Sequence, residues 1–147
     1  MQKSVLVIGS GIAGISASLK LKTYGVNSVI IDKGRFIGGR ISSREIKDTN
    51  ETNYFFHGAQ FFTAKGKSFK KIIEQGMNNN LIKEFGNFHP PRFRGHKTMR
   101  EFLTNLTVNL NIQQNNKIVG LKPSQKGISV LKENIKTWQN FDAVIST

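Results

Sequence analysis

The stretch from Ser4 to Asp32 constrains this chain more than any other. A short apolar run, Val5-Leu6-Val7-Ile8, leads into Gly9-Ser10-Gly11-Ile12-Ala13-Gly14; a helix-forming segment follows, and a second apolar run, Val29-Ile30-Ile31, ends at Asp32. Strand, glycine turn, helix, strand and acid at this spacing form a βαβ unit carrying the dinucleotide-binding fingerprint. Each glycine has a separate mechanical role. Gly9 permits the tight turn off the strand, Gly11 leaves the backbone amides open to a pyrophosphate, and Gly14 lets the helix pack closely on the sheet. The helix start, with Ile12 and Ala13 in its first turn, then faces the phosphates with unpaired N–H groups and a favourable dipole. Asp32 stands where a carboxylate accepts hydrogen bonds from ribose hydroxyls. The helix is expected over Ile12 to Tyr24, with Ile12, Ile15 and Leu19 on its apolar face, Leu21 and Tyr24 on the flank, and Gly25 as the C-cap. Ser16, Ala17 and Ser18 are small, which suits a helix pressed on a sheet beside a cofactor, although packing alone explains them equally well.

The chain has 147 residues, enough for one domain with a real core. With no cysteine, disulfides, thiolate catalysis and thiolate metal sites are excluded, and His57, His89 and His96 show no ligand spacing, so no metal is expected. Apolar runs are strand-sized, too short to span a bilayer, and Met1-Gln2-Lys3 has no signal-peptide character, so a cytoplasmic protein is expected. The formal net charge of +13 raises the question of nucleic acid. Two basic clusters, Lys65, Lys67, Lys70, Lys71 and Arg92, Arg94, Lys97, Arg100, do interleave with Phe69 and Phe93. The remaining basic residues are scattered, no helix-turn-helix or RNP pattern is present, and the same field suits the phosphates of a cofactor.

Beyond Asp32 comes Lys33-Gly34-Arg35-Phe36-Ile37-Gly38-Gly39-Arg40. An acid ending the second strand, followed by Gly-Gly-Arg, resembles the flavoprotein superfamily that contains monoamine oxidase and renalase. The resemblance implies FAD as the dinucleotide, with the Gly38-Gly39-Arg40 loop crossing over its pyrophosphate. Two glycines allow close backbone approach, and Arg40 offers a planar fork of donors to phosphate oxygens; a plain flexible loop is the other reading. The segment Tyr54-Phe55-Phe56-His57-Gly58-Ala59-Gln60-Phe61-Phe62-Thr63-Ala64 is similar to the Asp-His-Gly-Ala-Gln-Tyr-Phe-Thr-Ala segment of small bacterial renalase-like oxidoreductases, with Phe56 where that family has aspartate. Gln60 either donates to a flavin carbonyl or caps the turn. His57, with no acid nearby in sequence, reads as a structural or solvent-facing imidazole.

Lys67 to Met77 has helical spacing, with Phe69, Ile72, Ile73 and Met77 on one face and Gly76 with Asn78-Asn79-Asn80 as its end. Leu81 to Phe85 is expected as a strand, and Asn87 to Lys97, with His89-Pro90-Pro91, as a loop. Thr98-Met99-Arg100-Glu101 opens a further helix with a capping box, and Met99, Phe102, Leu103 and Leu106 repeat along it. From Asn111 the texture becomes β: Asn111–Gln113, Lys117–Leu121, Gly127–Leu131 and Ile135–Trp138, with turns at Pro123–Gly127 and Lys132–Asn134, read as a small antiparallel meander. By resemblance, the backbone at Ile118 touches the adenine. Phe141–Thr147 resembles the strand that returns to the nucleotide-binding sheet.

The expected fold is therefore α/β, a FAD/NAD(P)-binding Rossmann-like domain with a parallel sheet, helices and a meander. By the same resemblance, residues 1–64 form the first part of the FAD-binding domain, 65–95 the start of a substrate-side insertion, and 96–147 the return to the FAD-binding domain. The resemblance spans only about the first half of a family member and omits the last FAD segment, so a truncated fragment is expected, with uncovered apolar faces that favour self-association. The implied activity is flavin-mediated hydride transfer from an amine or a reduced nicotinamide; no residue reads as a catalytic acid, base or nucleophile. The expected cofactor contacts are Gly9, Gly11, Ile12, Ala13, Gly14, Asp32, Lys33, Gly39, Arg40, Gln60 and Ile118. Two alternatives stand beside this reading: a non-catalytic FAD- or ADP-binding module, and an NAD(P)-dependent enzyme in which Lys33 and Arg35 accept a ribose 2′-phosphate.

Overall fold

In the computed structural model, which describes residues 3–48 and 51–147, the chain divides into two compact units: residues 1–39 with 107–147, and residues 40–106.

The first unit is built on a four-stranded parallel sheet. β1 (Ser4–Ile8) runs into α1 (Ile12–Thr23), which returns the chain to β2 (Asn27–Ile31) beside β1. The sheet order is Ala143–Ser146, β1, β2, Asn111–Gln113, every pairing parallel. Strands covered on both faces require continuous apolar runs, and the core is drawn from them: Leu6, Val7, Ile30 and Ile31 are essentially inaccessible, as is Ile15 of α1. Of the stripe expected on α1, Ile15 is fully buried, whereas Ile12 and Tyr24 are 41% and 70% exposed; Gly14 and Ser18 complete the inward face, so the helix sits on the sheet through Ile15 and two small residues.

In the second unit, β3 (Ser43–Lys47) and β4 (Thr52–Phe56) pair antiparallel. α2 (Lys67–Asn78) runs one residue past its expected end. Gly76 does not terminate it: the residue is buried inside the helix because Ile82 packs against its bare Cα, while Met77 is 39% exposed rather than core. β5 (Ile82–Glu84) pairs antiparallel with β6 (Phe93–Gly95). The expected loop over 87–97 thus contains a strand; the two prolines lie in the connection before it, where no ladder bond is required of them. α3 (Met99–Leu106) starts at Thr98, whose Oγ1 accepts the Glu101 amide at 3.1 Å, while the Glu101 carboxylate accepts from the Lys97 amide. One arm of the expected capping box is present, and the other reaches one residue further back.

Returning to the first unit, β7 (Asn111–Gln113) joins the parallel sheet beside β2 instead of the meander. The meander consists of β8 (Ile118–Ser124), β9 (Gly127–Lys132) and β10 (Gln139–Phe141). Pro123 lies within β8, opposite Ile128, and the third strand forms after Trp138 rather than before it. Val130 from the meander closes a cluster with Leu6 and Ile31, and Ile118 packs against it. β11 (Ala143–Ser146) then pairs with β1, as expected for the closing segment. No described helix is long and apolar enough to cross a membrane.

Candidate functional site

β1 has β2 on one side and β11 on the other, so the chain leaves its carboxyl end at the point where the strand order reverses, where open α/β sheets form a ligand crevice. The glycine loop occupies this point. Gly9 has φ +107°, which only glycine adopts readily, and its amide donates to Ile31 O at 2.9 Å, tying the loop to the end of β2. A Cβ there would stand 2.6 Å from Thr147 Oγ1, and one on Gly14 would collide with the Gly9 carbonyl oxygen. These two glycines are required by packing within the protein itself.

Gly11 differs. Its φ of −72° and ψ of 178° are open to any residue, and a Cβ built on it would meet nothing within 4 Å. The folded chain does not need a glycine here, so the bare backbone faces space that a ligand can enter. Gly11 is the N-cap of α1, no side chain caps the helix, and no acidic residue lies in its first turn to compete with an anion. Ile12 and Ala13 are exposed in that turn. Gly38 and Gly39 return to the same place: Gly38 N donates to Ser10 O at 3.0 Å, and Gly11 bridges to Gly38 in parallel. A Cβ on Gly39 would stand 3.6 Å from Gly11 Cα, so the two backbones run side by side. The Gly-Gly segment is thus a fixed wall of the glycine loop rather than a loose connection.

Asp32 is anchored at three points. Oδ2 accepts from Ser10 N at 2.5 Å and Ser10 Oγ at 2.6 Å, and Oδ1 accepts from Gly34 N at 2.6 Å. Burial pushes the carboxyl upward, but these hydrogen bonds and the Lys33 charge outweigh it and hold Asp32 below the usual carboxylate range. The carboxylate is ionised and oriented, with one lone-pair site on Oδ1 left to accept from a ribose hydroxyl. Ser10, fully buried, is a residue that sequence reasoning passed over. Its signal was a hydroxyl between two glycines in a loop that must meet an acid at the end of the next strand.

Gly9, Gly11, Ile12, Ala13, Gly14, Asp32, Lys33 and Gly39 therefore gather around the ends of β1 and β2 in the first unit. Ile118 lies in the same unit, in β8 opposite Lys132, and packs against the Leu6–Ile31–Val130 cluster. Nearby, Asp32 N donates to Gln113 O at 2.9 Å, and the buried Lys132 donates to Gln113 Oε1 at 2.8 Å. Arg40 and Gln60 belong to the second unit, and both are exposed. There the Arg40 carbonyl accepts the Ala59 amide at 2.8 Å, and a Cβ on Gly58 would collide with it. The glycine of the His57-Gly58-Ala59-Gln60 turn is set by this backbone contact. His57 is exposed, with Ser42 Oγ 3.2 Å from Nε2. No group of three or more histidine, cysteine or carboxylate side chains able to hold a metal occurs among the described residues. A cavity of about 450 Å³, lined by Ser4, Asn27, Asn111 and Phe141, opens at the opposite ends of the strands, away from the glycine loop.

Comparison with known proteins agrees with this geometry. Residues 7–75 match the family model of the NAD(P)-binding Rossmann-like domain. A probable zeta-carotene desaturase of Synechococcus elongatus is 27% identical over 95% of this chain and 32% of its own length. Lysine-specific histone demethylase 1 of Caenorhabditis elegans is 44% identical over 31% of this chain and 6% of its own. Among solved structures, the tetracycline destructase Tet(51) has a TM-score of 0.63 at 15% identity, covering 99% of this chain and 38% of that one. A fatty acid isomerase from P. acnes has a TM-score of 0.72 at 10% identity, covering 97% of this chain and 58% of that one. The chain spans about a third of the length of the desaturase. With the sheet, the glycine loop and the anchored acid in place, the N-terminal part of the chain, residues 7–75, carries an NAD(P)-binding Rossmann-like domain of the type used by flavin- and NAD(P)-binding oxidoreductases.

Proposed function

We propose that the first unit binds FAD and serves as the dinucleotide-binding part of a flavoprotein oxidoreductase of the amine-oxidase or renalase-like kind. The observation that carries this reading is the open backbone at Gly11, walled by Gly38-Gly39 and flanked by the three-point anchored Asp32. The amides of Gly11, Ile12 and Ala13 would receive the pyrophosphate, and Asp32 the adenosine ribose; Gly39, Arg40, Gln60 and the Ile118 backbone would add the remaining contacts. When bound, the flavin supplies hydride acceptance from an amine or a reduced nicotinamide. The protein's own share is orientation and charge: the α1 N-terminus for the phosphates and a fixed carboxylate for a ribose hydroxyl. Residues 65–95 would begin the substrate side, and the cytoplasm is the setting we assign.

A second reading, a nicotinamide dinucleotide in the same crevice, has the description of the matching family and the exposed Lys33 in its favour. Titration of the purified chain with FAD, ADP and NADPH, followed by flavin fluorescence quenching and by calorimetry, separates them. Saturable FAD binding near one equivalent, much tighter than NADPH, supports the flavin reading; NADPH preference replaces it, and ADP binding without FAD binding identifies a nucleotide module alone.

A further inference from the structure

The hairpin β5–β6 in the second unit has two unlike faces. Phe62 extends the hairpin by exchanging backbone hydrogen bonds with Phe93, 2.8 Å each way. Side chains alternate across a strand, and one face carries Phe62 and Phe93, packed with Phe69 and Phe102 at ring-centroid distances of 5.7 to 6.2 Å. That face belongs to the core. The other carries Phe61, Phe85, Arg92 and Arg94, with Phe88 from the connecting turn. Arg92 lies between two rings, 4.0 Å from the centroid of Phe88 and 4.3 Å from that of Phe61; Arg94 lies 4.9 Å from Phe85 and 5.8 Å from Phe56. Phe85 stacks with both Phe61 and Phe88. Phe61 and Phe88 are 36% and 41% exposed.

Neither guanidinium has a carboxylate partner among the described residues, and Arg94 Nε is buried without a hydrogen-bond partner. Aromatic rings lie against each guanidinium, so part of its rotamer entropy is already spent, and no acceptor among the described residues takes up its terminal N–H groups. The ring faces turned toward Arg92 are occupied by the cation itself, unlike the open stacking platforms that single-strand binders present. What remains is donor edges rimmed by apolar ring edges.

We propose that this face is a binding site for a small aryl or conjugated carboxylate, the anion on the Arg92 and Arg94 edges and the flat apolar body against Phe61 and Phe88. The site lies wholly within the second unit and is independent of the dinucleotide reading. The test uses the full chain and 2-naphthoate as a fluorescent probe, with 2-naphthamide as its neutral counterpart and an oligothymidylate as competitor. Arg92→Gln is expected to weaken naphthoate binding at least about tenfold. Arg92→Lys, which keeps charge but loses the planar fork, is expected to restore it only in part. Phe88→Leu, in an exposed turn, should cost several-fold, and all three variants should keep the wild-type melting curve and FAD affinity. Should Arg92→Gln fail to fold, Arg94→Gln and Phe88→Leu carry the same test. Equal binding of naphthoate and naphthamide, unchanged affinity in the arginine variants, or displacement by oligothymidylate at lower concentration than naphthoate would each overturn the proposal.

Discussion

Gly11→Val separates the folding role of the glycine loop from its binding role, because the structure assigns opposite consequences to neighbouring glycines. At Gly11 the backbone angles suit any residue, and an added Cβ meets nothing within 4 Å. The cost to folding is then limited to replacing a glycine N-cap by valine, about 1 kcal/mol, which for a chain of this size lowers the melting temperature by roughly 3–4 °C. The isopropyl group would occupy the space beside the Gly11 to Ala13 amides. Losing two hydrogen bonds to an anionic pyrophosphate, each worth about 1.5–3 kcal/mol, weakens dinucleotide binding by roughly two to four orders of magnitude. Gly14→Ala should behave in reverse. Its methyl collides with the Gly9 carbonyl, a backbone atom that cannot step aside, so about 1–3 kcal/mol of stability is lost before binding is considered. The assay pairs a thermal melt with FAD titration for both variants. A Gly11→Val protein that melts normally and binds FAD like the parent would refute the assignment of the ligand face; one that unfolds while Gly14→Ala does not would refute the packing argument.

Three further outcomes follow from other contacts. Because the Asp32 carboxyl is held below its ordinary value, its contribution to stability is full above the unfolded carboxylate range and is lost as pH falls through the lowered folded value. Asp32→Asn should therefore be less stable than the parent by about 1 kcal/mol at pH 7, with the gap closing in urea melts below about pH 4; a gap independent of pH would exclude the charged hydrogen bonds as its source. Gly58→Ala should destabilise the second unit by about 1–3 kcal/mol through its collision with the Arg40 carbonyl, seen as lost hydrogen-exchange protection in residues 40–106 but not in β1 and β2. Thr98→Ala removes the hydrogen bond to the Glu101 amide and should cost about 0.5–2 kcal/mol, whereas Thr98→Ser should recover most of it; equal losses in both would show that the hydroxyl does not cap α3.

Local chemistry was sufficient to read the βαβ unit, the start of α2 at Lys67 and the Thr98 cap of α3, because strand runs, glycine turns and caps act over a few residues; the closing strand after Phe141 was read from the resemblance. What the sequence left open lay in contacts between distant segments. Asn111–Gln113 reads locally as one more short β run, yet it sits beside β2 because the Rossmann sheet offers that edge a parallel partner. Gly76 reads as a helix stop until Ile82 is seen to need its missing side chain, and the strand inside residues 87–97 exists only because Phe62 and β5 supply hydrogen-bond partners on both sides. The site divides in the same way. By itself the sequence picked out the candidate residues: three glycines, an acid at the end of the second strand and a Gly-Gly-Arg segment. Tertiary structure alone decided that Gly9 and Gly14 serve the fold while Gly11 faces open space, that Gly38-Gly39 lies along the glycine loop, and that Ser10 orients Asp32. Glycine identity records only that a side chain is absent, and whether protein or ligand fills the vacated space is settled by what the fold places opposite it.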